Sequence, residues 1–86
     1  MAAATGTAAA GVGDTMLAAG DYAKAATLYR AALVKGAVDP NLVNTRLGIA
    51  LASAGQKAEA EAALRAVTGP RAEIAALWLA LLSRRA

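Results

Sequence analysis

The sequence predicts an all-α fold of five helices packed as antiparallel hairpins, and three observations carry that prediction. Alanine makes up 27 of the 86 residues, and alanine is the best helix former and is depleted in strands. Glycine, proline and aspartate punctuate the chain at Gly20-Asp21, Gly36, Asp39-Pro40, Gly55 and Gly69-Pro70, the pattern of helix stops and starts. The chain also aligns with itself at a shift of 35 residues. A chain of this length makes one small domain with a simple core.

Composition excludes much chemistry. There is no cysteine and no histidine, which removes thiol nucleophiles, disulfides, imidazole bases and the usual zinc and haem ligands. No cofactor and no metal is expected. The net charge of +3 comes from nine basic residues interleaved with six acids, a solvated surface and not a nucleic-acid track. No stretch approaches the roughly 20 apolar residues of a membrane helix. Met1 is followed by small residues with neither a basic region nor a leucine-rich segment, so no signal peptide is read. The chain is expected to be soluble, and its Ala- and Arg-rich usage suggests a bacterial origin, in the cytoplasm or the periplasm.

Residues 1–6 hold nothing large to bury and read as a flexible leader; residues 7–86 form the domain. Thr7 caps a first helix over 7–19, with Val12, Met16 and Ala19 on one side and Gly20 as its left-handed stop. Asp21 caps a second, over 22–35, whose apolar stripe is Tyr22, Ala25, Ala26, Tyr29, Ala32 and Leu33. Asp39-Pro40 opens a third, over about 40–54. It buries Val43, Leu47, Ala50, Leu51 and Ala54 and sets Leu42 and Ile49 on another face. After Gly55 a fourth helix, over about 57–67, buries Ala60, Ala63, Leu64 and Val67 and places Glu61 and Arg65 at the supportive i, i+4 spacing. The fifth, over 70–84, carries the strongest stripe, Ile74, Leu77, Trp78, Leu81 and Leu82. Gly48 stands inside the third helix, where glycine costs roughly 1 kcal/mol relative to alanine. A close helix approach is expected there.

The 35-residue shift pairs Gly13 with Gly48, Gly20 with Gly55, Ala25 with Ala60 and Arg30 with Arg65. A period near 34 in helical hairpins is the signature of the tetratricopeptide repeat. The chain resembles that family at Val12-Gly13, Ala19-Gly20-Asp21-Tyr22, Ala25, Tyr29 and Ala32, and one repeat on at Leu47-Gly48, Leu51, Ala54-Gly55, Ala60 and Leu64. The resemblance implies a right-handed superhelical array of two repeats, 7–38 and 39–69, closed by a capping helix at 70–84 that contains Trp78. It further implies that Gly48 and Ala60 mark the crossing of paired helices. The chain departs from the family at the early tryptophan position of the first helix, here Ala9 and Asn44, at Lys57 in place of Tyr22, and in its period of 35.

Catalytic candidates are poor. Gly6 to Gly11 has the glycine spacing of a phosphate loop, but Val12-Gly13 stands where Lys and Ser/Thr are required. Asp21 and Asp39 read as caps, Glu59 and Glu61 as a solvated face, and Glu73 as a first-turn acid, so no acid-base pair is expected. Tyr22, Tyr29 and Trp78 lie on apolar stripes and read as core. The resemblance implies a concave surface built from the first helix of each hairpin, at Ala10, Asp14, Leu17 and Ala18, then Leu42, Thr45, Arg46, Ile49, Ala52 and Ser53. The expected function is a protein-protein interaction module, the C-terminal part of a longer repeat protein, taking a peptide or helix in a groove at Asp14, Leu17, Leu42, Thr45, Arg46, Ile49 and Ser53. Self-pairing through the first hairpin is also expected. The competing expectations are a purely structural cap, in which Leu17, Leu42 and Ile49 only complete the fold, and a small helical nucleic-acid binder.

Overall fold

The computed structural model describes residues 6–36 and 38–84. Residues 1–5, which make up most of the expected leader, lie outside the described residues, as do 37 and 85–86. Five helices follow one another: α1 (Gly6–Ala19), α2 (Tyr22–Lys35), α3 (Pro40–Ser53), α4 (Lys57–Arg65) and α5 (Ala72–Arg84), the last preceded by a 3-10 turn at Gly69–Arg71. No strand occurs among the described residues. Each helix packs on its neighbour in sequence, and α5 also packs on α3.

Capping fixes the helix starts. The Asp21 carboxylate accepts the Lys24 N–H at 3.2 Å, and that of Asp39 accepts the Asn41 N–H at 3.0 Å ahead of Pro40 at the first turn of α3. α1 begins at Gly6, one residue inside the expected leader, where the Gly6 N–H donates to the Gly36 carbonyl at 3.1 Å. α4 ends at Arg65, two residues early, because Ala66 and Val67 donate to Ala63 and Leu64 in a tighter last turn.

The two hairpins are built alike. Gly20 and Gly55 take the left-handed conformation, with φ of 86° and 83°. Gly20 donates to Leu17 and Asp21 to Met16, at 3.1 and 2.9 Å; 35 residues later Gly55 donates to Ala52 and Gln56 to Leu51, at 3.1 and 2.9 Å. Each is the paired closure that ends a helix at a left-handed glycine. The crossings repeat in the same register. A Cβ on Gly13 would lie 2.9 Å from Cε1 of Tyr29, and one on Gly48 would lie 2.5 Å from Cγ of Leu64. The expected close approach at Gly48 is present, but the group that fills it is Leu64. Ala25 and Ala60 have no exposed surface.

Several expectations are overturned. Tyr22 and Val12 are exposed, and so are Ala19 and Ala54; α1 instead buries Gly6 and Gly13 and packs Ala9, Ala10, Met16 and Leu17 against the core. In α5 the buried residues are Ala75 and Leu82, with Trp78 and Leu79 packed beside them, whereas Ile74, Leu77 and Leu81 face outward. Part of this repeats the register of α3. Trp78 and Leu82 lie 35 residues after Val43 and Leu47, both buried, and Leu77 and Leu81 lie 35 after Leu42 and Arg46, which are not. The apolar arc of α5 is wider than its packing requires, so periodicity alone selects the wrong half. Lastly, Glu61 and Arg65 form no ion pair; Arg30 bridges to Glu59 at 3.4 Å across α2 and α4, with both side chains about half exposed, where such pairs contribute little.

The glycine crossings make a paired prediction. Gly48→Ala gains helix propensity yet should destabilise the fold by about 1–3 kcal/mol in thermal or urea unfolding, because Leu64 is blocked by packed neighbours. Gly11→Ala, whose Cβ meets nothing within 4 Å, should stabilise it by about 0.5–1 kcal/mol. Adding Leu64→Ala to Gly48→Ala should show a favourable coupling of about 1 kcal/mol or more in a double-mutant cycle.

Candidate functional site

α1 and α3 stand on either side of a cleft of about 360 Å³ whose walls include Ala10, Asp14, Leu42, Val43 and Arg46, with Tyr29 of α2 as its floor. The helix period puts Ala10 and Asp14 on one face of α1, and Leu42 and Arg46 on one face of α3, each pair at i, i+4. Tyr29 reaches the cleft because Gly13 has no side chain to stop it.

Asp14 joins the three helices. One carboxylate oxygen accepts the Tyr29 hydroxyl at 2.5 Å, and the other accepts Nη1 of Arg46 at 2.7 Å. The Tyr29 ring has no exposed surface, whereas the side chains of Asp14 and Arg46 keep 43% and 39% of theirs. A buried tyrosine hydroxyl needs an acceptor, and an ionised carboxylate is a strong one. Burial raises the Tyr29 pKa above the ordinary tyrosine value; the hydrogen bond to Asp14 and its negative charge push the same way, and Arg46 opposes them. The phenol is therefore held as a donor. Asp14, engaged at both oxygens, serves as an acceptor between helices.

Of the seven expected groove residues, the cleft brings together Asp14, Leu42 and Arg46. Thr45 is a correction: it is 5% exposed and its hydroxyl donates to the Asn41 carbonyl at 2.7 Å, so it faces inward. Leu17 is half-buried against the core. Ile49 is half-buried and Ser53 exposed, and neither lines the cleft. Two residues were missed. Tyr29 looked like plain core, although its hydroxyl and the lone acid of α1 were the signal. Asn41 left no sequence signal: its side-chain oxygen accepts both the N–H and the hydroxyl of Thr68, at 3.0 and 3.2 Å, which pins the approach to α5 against the start of α3.

The chain matches no known protein family, no curated protein and no solved structure. Among the described residues there is no group of three or more acidic, histidine or cysteine side chains placed to hold a metal ion. No helix among them is long and apolar enough to cross a membrane.

The raised Tyr29 pKa fixes the sign of an alkaline effect. A group whose folded pKa lies above its unfolded value of about 10 contributes stability that is complete below pH 10 and is lost as pH rises beyond it. Tyr29→Phe should therefore lose less stability than wild type between pH 10 and pH 11.5. In a Tyr22→Phe background, where Tyr29 is the only phenol, absorbance at 295 nm should rise together with the loss of helical circular dichroism and not before it. Asp14→Ala should cost about 1 kcal/mol at neutral pH, since it strands the Tyr29 hydroxyl and frees Arg46.

Proposed function

We propose that this chain is a tetratricopeptide-like interaction module, and that the cleft between α1 and α3 receives an apolar or helical segment of another protein. The observation that carries this is the cleft itself. Its apolar walls, Ala10, Leu42 and Val43, surround one half-exposed Arg46–Asp14 pair. Small apolar walls around a few fixed polar groups suit recognition of a side chain with a polar tip. Arg46 gives Nη1 to Asp14 and lines the cleft with a side chain that is still partly exposed, which favours a carboxylate or a main-chain carbonyl on the partner.

The tetratricopeptide-like assignment is supported by the recurrence at 35 residues of the turn closure and the glycine crossing. Recognition is favoured over catalysis because both oxygens of Asp14 already accept hydrogen bonds. A structural cap without a ligand is the competing proposal.

Panning a displayed library of random peptides against the 86-residue protein separates the two. Peptides are expected that bind wild type at least about tenfold more tightly than Leu42→Glu or Arg46→Glu, and that shift the amide resonances of residues 10, 14, 42 and 46. Circular dichroism should show both variants folded. Recovery of no peptide, or of peptides indifferent to both substitutions, would favour the cap. Steeply salt-dependent binding of oligonucleotides in the same cleft would replace the proposed partner with nucleic acid.

A further inference from the structure

The outward face of α5 differs from those of the other helices. α2 and α4 turn charged residues to solvent, among them Lys24, Arg30, Glu59 and Arg65. α5 instead exposes Leu77 at 67%, Leu81 at 50% and Ile74 at 45%. Its charges stand only at the two ends, Glu73 in the first turn and Arg84 in the last. At 3.6 residues per turn, Glu73, Leu77, Ala80, Leu81 and Arg84 fall within an arc of about 100°. Neither Glu73 nor Arg84 has an ion-pair partner among the described residues.

We propose that this face is covered by α5 of a second copy of the chain, packed antiparallel about a two-fold axis. A two-fold interface places each residue of one helix against its counterpart read in reverse. Setting Glu73 against Arg84 of the second copy aligns opposite charges at both ends and sets Leu77 against Ala80 of the second copy, large side chain on small. A parallel pair would put Glu73 on Glu73 and Arg84 on Arg84. The charge pattern thus selects both the occupant and its direction. The first hairpin has no comparable stripe: of its large exposed apolar residues, Val12 stands alone on α1, and Tyr22 and Val34 stand at opposite ends of α2. One helix pair lies at the small end of specific interfaces, below about 1,200 Å², so the dimer is weak and reversible. The α1/α3 cleft is not part of this contact.

Sedimentation equilibrium of the 86-residue protein from about 10 µM to about 1 mM tests this. The average mass should climb from 8.5 kDa toward twice that value. Leu77→Glu should lower the association constant at least about tenfold, while Val12→Glu leaves it unchanged, with circular dichroism showing both variants folded. Glu73→Arg and Arg84→Glu should each associate more weakly than wild type, and an equimolar mixture of the two should recover association as a heterodimer. The proposal fails if the protein is a strict monomer over this range, including one that binds anionic phosphatidylglycerol vesicles instead. It fails equally if the dimer ignores Leu77→Glu, or if the mixture associates no better than its components.

Discussion

The contact on which the rest of the molecule depends is the meeting of a helix lacking a side chain with a large side chain from the next helix. Gly13 receives Tyr29, and Gly48 receives Leu64. Either glycine replaced by any other residue puts a Cβ within 3 Å of its neighbour, closer than packed carbon atoms approach. With so much alanine and few large side chains, the fold cannot fill wide spaces between helices. Close crossing is the alternative, and fully buried Ala25, Ala32, Ala50 and Ala60 are the small residues that let backbones come together. The left-handed glycines at 20 and 55 then turn the chain at the point where each crossing requires it.

The site follows from the same crossing. Because Tyr29 slides beneath Gly13, its hydroxyl emerges beside Asp14, the one charged residue of α1. Asp14 in turn holds Arg46, and so ties the first hairpin to the second. At Leu64, the counterpart of Tyr29, there is no hydroxyl to place, and no matching polar link arises one repeat on. The polar link between Tyr29, Asp14 and Arg46 is a local variation on a repeated packing unit, and it depends on the one hydroxyl that Leu64 lacks.

Helix number, order and most boundaries were legible because glycine, proline and aspartate act locally: a left-handed turn or a cap is decided within four residues. The 35-residue recurrence was legible for the same reason. Which half of an apolar arc turns inward was not. α4 has a polar outer face and was placed correctly at Ala60, Ala63 and Leu64, whereas α5 is apolar on both sides and was rotated toward the wrong one. Thr45 was misplaced because a threonine can satisfy its hydroxyl on its own helix, here at Asn41, and so be buried where a polar residue is expected outside. Arg46 was placed on the right face, but its bond to Asp14 joins residues 32 apart, a distance across which spacing carries no information.

The contrast between α4 and α5 has a physical meaning beyond placement. Both helices pack one face on the core, and α4 shows how little the outer face needs: Glu59, Ala62 and Arg65 suffice. Scattered exposed leucines are ordinary on protein surfaces, but three large apolar side chains recurring every three to four residues along one helix form a stripe, with an acid at one end and a base at the other. Such a stripe adds nothing to the core it faces away from, and in an isolated chain it invites association. Glu61 and Arg65 of α4 have the spacing for a local ion pair and form none. Glu73 and Arg84 are too far apart on α5 to meet each other, and only a second helix running the opposite way brings opposite charges together at both ends.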